Sequence, residues 1–193
     1  MTRYKVWDPA IRVFHWTLAA GFIANAFLID DDAKLHEWVG YGVMALVGLR
    51  ILWGLIGPRH ARFASFIPGP GAVTRQITDM ALRRRHTHLG HSPLGALMIG
   101  NLLMSMLAIG VTGYLMTTNA FWGAEWVEEA HEAFVLWAEL SVLAHVAAVV
   151  LESLRTGVNL PRAMITGCKT VPDNVKLERL ARADRTNPGR SSR

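Results

Sequence analysis

Residues 94–118 run for 25 positions without a charged side chain. Few folds tolerate such a segment. A helix in a water-soluble domain needs one polar face, and the polar residues inside this run are only Asn101, Ser105 and Thr112. A half-buried strand alternates apolar and polar residues, and no alternation is present. A helix that is apolar nearly all round suits a bilayer, whose ~30 Å hydrocarbon core takes about 20 residues at 1.5 Å each. Three further runs share this character: 13–29 has no charge, 38–57 carries only Arg50, and 133–151 carries only Glu139. With their flanks they also reach spanning length. The sequence therefore predicts an all-α, integral membrane four-helix bundle with spans at about 9–29, 36–57, 93–118 and 127–154.

Charge gives the bundle a direction. Lys and Arg mark the cytoplasmic side of membrane proteins. With four spans, segments 1–12, 57–92 and 155–193 fall on one side and hold 18 of the 20 cationic residues. The other side has Lys34, with Asp30, Asp31, Asp32 and Glu37 in one loop and Glu125, Glu128, Glu129 and Glu132 in the next. Both termini are thus expected in the cytoplasm, and three or five spans would scatter the charges. Asp8-Pro9 reads as an N-cap followed by a first-turn proline. Residues 1–170 form one unit on this reading, with a basic inner loop at 62–92. Residues 171–193 form a polar, mobile tail. One cysteine, Cys168, excludes a disulfide scaffold, and no glycine loop of the phosphate-cradling kind is present. No nucleic-acid partner is expected; the membrane lipid is the certain neighbour of such a chain. Trp7, Trp38, Trp53, Trp122 and Trp126 lie near run ends, where indoles favour the headgroup region.

Eight histidines remain. His60, His86, His88 and His91 lie in the basic inner loop and read as solvated. His15, His36, His131 and His145 fall in or at the edge of the spans, where an ionisable group is costly and marks function. His131 and His145 are 14 residues apart. They share a helix face but are separated by ~21 Å along the axis, so they cannot hold one ion. His15, near the inner end of the first span, is level with His145. His36, at the outer end of the second, is level with His131. Two imidazoles per site suit zinc poorly, since zinc takes three or four protein ligands. They suit a haem, whose ring supplies the other four nitrogens. No Cys-x-x-Cys-His is present, so the expected cofactors are two non-covalent b haems with both axial positions filled, which is an electron-transfer arrangement.

Depth poses one problem. His15 lies three residues past Arg12, whereas His145 lies ten before Arg155. The levels match if the fourth helix projects past the membrane or if Arg12 is itself partly buried. Arg12 and Arg50 are candidate partners for haem propionates, with snorkelling to lipid phosphate the alternative. Asn101 is a candidate quinone contact, with an interhelical hydrogen bond the alternative. Glu139 is a weaker candidate for a proton path, since it sits about 80° off the histidine face. The glycines of the second and third spans read mostly as ordinary close-packing positions.

Four features together resemble a known family: Val6-Trp7-Asp8-Pro9 leading to Phe14-His15-Trp16; Leu35-His36-Glu37-Trp38-Val39-Gly40-Tyr41; Arg50-Ile51-Leu52-Trp53-Gly54 with Arg62-Phe63; and His131 with His145, followed by Ala163-Met164-Ile165-Thr166-Gly167. They are similar to the bacterial cytochrome b561 family, which includes the b-type cytochrome subunit of nickel–iron hydrogenase. The resemblance covers about residues 5–170. It implies a four-helix membrane bundle with two b haems on His15, His36, His131 and His145. It also implies electron exchange in the bacterial inner membrane between the quinone pool and a periplasmic redox partner. The outer link between the first two spans, Asp30 to Leu35, is shorter than in hydrogenase-type members. That favours a small partner such as a c-type cytochrome, which the acidic outer loops would steer if it were basic. The competing readings are a superoxide oxidase feeding quinone, a haem-free transporter or proton channel, and a passive anchor subunit of a hydrogenase or other oxidoreductase. The acidic outer side disfavours attraction of an anionic substrate.

Overall fold

The computed structural model describes residues 1–56, 63, 68–82, 86–88, 90, 92–173 and 175–178. Arg59, His60, Arg62, Arg83, Arg84, Arg85 and His91, and residues 179–193 of the expected tail, lie outside them. The described residues form six helices and four short strands.

Four helices are long: α1 (Pro9–Phe27), α2 (Lys34–Ile56), α4 (Pro93–Met116) and α5 (Glu125–Thr156). The last three are long and apolar enough to cross a membrane. Local chemistry sets their ends. Asp8 caps α1 by accepting from Ala10 N at 2.8 Å, with Pro9 in the first turn. Ser92 caps α4 by accepting from Gly95 N at 3.1 Å, with Pro93 behind it. Glu125 and Glu128 occupy the first turn of α5, where carboxylates offset the helix dipole. α5 has 32 residues, about 48 Å of helix, and so outruns a ~30 Å core. Arg12 is half-buried.

The core draws on all four long helices: Phe22 from α1, Val47 from α2, Leu103 and Met106 from α4, and Ala138 from α5. α4 packs against α5 and α2, and α2 packs against α1, while α5 meets α1 and α2 far more sparsely. At Gly110 a Cβ would come within 2.9 Å of Met44, so glycine lets α4 approach α2. Leu49, Leu52, Leu97, Leu140 and Leu143 are all more than half exposed along the outer faces. Water would penalise such a surface and lipid does not.

The structure adds elements that an all-α reading lacks. Strand β1 (Thr2–Lys5) pairs antiparallel with β3 (Cys168–Val171), with Thr2 opposite Val171 and Lys5 opposite Cys168. Strand β2 (His86–His88) pairs in parallel with β4 (Lys176–Glu178). A small core of Val158, Val171 and Val175, with Tyr4 and Leu160, sits beside them. The segment after Thr170 therefore begins as paired strand, and the Met1 ammonium meets Asp173 at 2.8 Å. Short helix α6 (Leu160–Thr166), capped by Asn159, leads into β3. Lys169 on β3 turns inward. Its Nζ donates to the His88 and Gly90 carbonyls at 2.9 and 3.0 Å and lies 5.5 Å from the Trp7 ring centre. Helix α3 (Pro70–Ala81) is the remaining element, within the stretch expected as loop.

Candidate functional site

Sparse packing of α5 on α1 and α2 leaves room beside His36 and His131. His145 of α5 lies close enough to His15 of α1 to act on it electrostatically. His131, two turns into α5, stands in the same relation to His36 in the first turn of α2. These are the pairs that helix arithmetic predicts, one at each level. The His15 ring also meets Trp16 edge-on, with centres 5.0 Å apart.

His36 and His131 share a cavity of about 1020 Å³ between α1, α2, α4 and α5, at the upper end of ligand-pocket volumes. His36, His131, Asn25, Gly40, Gly113 and Tyr41 line it, together with the carboxylates of Asp30, Asp31, Asp32, Glu37, Glu128, Glu132 and Glu139. Gly113 keeps α4 thin beside the ring, since a Cβ there would stand 3.1 Å from His131 Cε1.

Hydrogen bonding orients His131. Thr112 Oγ1 lies 2.8 Å from the Ala108 carbonyl and 3.0 Å from His131 Nδ1. The threonine proton goes to the carbonyl, so Oγ1 accepts the Nδ1–H of His131. That leaves Nε2 as the nitrogen with a lone pair, in the manner of a metal-bound imidazole. Nδ1 of His15 and Nδ1 of His36 are buried and have no hydrogen-bond partner among the described residues. A buried ring nitrogen without a partner calls for an explanation, and a bound ligand is one. Among the described residues no three His, Cys, Asp or Glu side chains gather as a metal cluster. At the level of His36 and His131, two imidazoles, a cavity and glycine clearance together fit a flat macrocycle that brings its own four nitrogens.

The other sequence candidates lie elsewhere. Arg12 Nη2 donates to the Ile165 carbonyl of α6, while its Nε is buried without a partner among the described residues. Arg50 is buried, its guanidinium carbon 4.7 Å from the Phe63 ring centre. Asn101 is engaged at both ends of its amide by α5: Nδ2 donates to Ser141 at 2.8 Å, and Trp137 Nε1 donates to Oδ1 at 3.0 Å. It is thus an interhelical hydrogen-bonding group, away from the outer cavity. His88 is half-buried, and its carbonyl serves Lys169. Sequence reasoning did not single out Thr112 or Asn25 for the site. Each was visible as a polar residue in an apolar run, but its partner helix was not. A family model for prokaryotic cytochrome b561 matches residues 6–167. No curated protein and no solved structure matches.

Proposed function

The chain belongs to the prokaryotic cytochrome b561 family, and from that premise we propose that it is a di-haem conduit between the quinone pool and a c-type cytochrome across the bacterial inner membrane. Membership of that family makes this a membrane b-type cytochrome that carries electrons. The pairing of His15 with His145 and of His36 with His131 at two levels is the observation that supports two haems.

A b haem held by two imidazoles supplies reversible one-electron chemistry with no open position for oxygen. The residues' own work is to hold and tune. His15 and His145 hold the inner group, and His36 and His131 the outer one. Thr112 holds the His131 ring through Nδ1 and leaves Nε2 for the haem iron. Arg12 and Arg50, both cations within the bundle's inner half, balance propionate charge. The quinone exchanges electrons at the inner level. The acidic residues around the outer cavity mouth draw a basic carrier to the outer one, as fields of one sign raise encounter rates.

Both termini face the cytoplasm in this reading. The pairing of β1 with β3 supports an even number of crossings, because it requires residues 2–5 and 168–171 to lie on one side. The test is a reduced-minus-oxidised spectrum with haem quantitation on the wild type and four single variants. The wild type is expected to hold two haems per chain. His15→Ala and His145→Ala should lose the same one, and His36→Ala and His131→Ala the other. A crossed pattern, one haem per chain, or colourless protein overturns the proposal.

A further inference from the structure

Of the carboxylates that line the cavity beside His36 and His131, those of Asp30, Asp31, Asp32, Glu37, Glu128 and Glu132 are exposed. Glu139 alone is half-buried. It is also the only charged residue in the run 133–151, within a helix long and apolar enough to cross a membrane. An ionisable group so placed is costly and marks function. Among the described residues no hydrogen bond and no ion pair engages it.

Its position joins it to the cavity. Glu128, Glu132, Val135 and Glu139 follow one stripe of α5 at helical spacing, and all of them line the cavity. Glu139 stands about 12 Å past His131 along the axis, and its offset of about 80° leaves it on the cavity wall. Across the cavity, α2 presents His36, Glu37 and Tyr41, and α4 presents Tyr114. α4 carries no charged residue. Arg12 and His15 of α1, and Lys34 and Arg50 of α2, do not line the cavity, so no described Lys or Arg balances its carboxylates there. An electron on a haem held by His36 and His131 adds negative charge to this space. Water shields exposed carboxylates from that charge, and shields a half-buried one in an apolar span least.

We propose that Glu139 is a redox-linked proton site: its carboxylate takes up one proton when the haem on His36 and His131 accepts an electron, and releases it when the electron leaves. The electron comes from the other haem or from the redox partner, and the proton from the water that the exposed carboxylates border. One O–H bond forms or breaks per electron. The inference rests on the di-haem reading.

The test is a redox titration of the detergent-purified full chain over about pH 5–9, with the two haems resolved and the outer one identified as that lost in His36→Ala. In the wild type the outer midpoint potential should fall with pH over part of this range. The slope should approach about 59 mV per tenfold change in proton activity, the limit of one proton per electron. Glu139→Gln should flatten it, Glu139→Asp should keep it, and Glu128→Gln, which removes an exposed carboxylate of the same stripe, should leave it in place. In the infrared, reduction should bring up a protonated-carboxyl C=O band that moves in D2O and is missing in Glu139→Gln. If Glu139→Gln loses a haem, the band decides in Glu139→Asp: it should shift with the shorter side chain, and an unmoved band overturns the proposal. Colourless protein, or one haem per chain, ends the di-haem reading itself. Two haems with a pH-independent outer potential overturn the proposal alone. So does a slope that survives in Glu139→Gln, which belongs to propionates or to the exposed carboxylates, and so does an inner haem that titrates as steeply as the outer.

Discussion

Lys169 holds its ammonium inside the protein, at 4 % exposure. Burial pushes its pKa down to about 8, with nearby Glu152 acting in the opposite direction. Between that value and the ordinary 10.5 the unfolded chain binds more protons than the folded one, so stability rises with pH across this window and is flat below it. The gain is on the order of 3 kcal/mol. Hydrogen exchange of strands 2–5 and 168–171, corrected for intrinsic rates, should show that rise. Lys169→Met should abolish it. Thr112 offers a second residue-level test. Thr112→Val leaves the His131 Nδ1–H without its acceptor, a loss of about 1–3 kcal/mol. The midpoint potential of one haem should move while the other stays. The four span histidines were legible in sequence because an ionisable group in an apolar run is costly unless a ligand or a polar partner engages it. Lys169 was not, because its two carbonyl partners lie about 80 residues away.

At the scale of elements, the amide of Asn101 joins α4 to α5 through Ser141 and Trp137. Asn101→Leu should lower thermal stability by about 1 kcal/mol with both haems retained. A fall in quinone turnover with unchanged stability would return Asn101 to the quinone site instead. Gly167 ends α6 at φ 80°, and a Cβ there would lie 3.0 Å from the Trp7 carbonyl and 3.2 Å from Arg12 Nη1. Gly167→Ala should therefore cost about 1–2 kcal/mol from backbone conformation alone. It should also speed exchange at Val6 and Trp7, whose amides bond the Gly167 carbonyl. The long helices followed from their apolar runs, with ends shifted by two residues or fewer. α3 was harder to see. Its Val73, Ile77 and Met80 have helical spacing, but over only two turns and inside an arginine-rich stretch that reads as loop. The strands have three or four residues each and pair across long separations, which no local pattern announces.

For the whole molecule, acidic side chains gather at the cavity beside His36 and His131. Electron exchange with a basic c-type cytochrome should slow as salt rises from about 10 to 150 mM, because the screening length shrinks from ~30 to ~8 Å. Stopped-flow reduction over that series measures it, and a salt-independent rate would argue against steering by these carboxylates. The β1–β3 pairing has a consequence for biogenesis. The earliest strand made has to wait for one made more than 160 residues later before its hydrogen bonds can close. Contacts so remote in sequence form late. The end where Arg12 grips α6 is therefore the last part to be sealed, and a chain stalled during synthesis would carry its helices without their clasp.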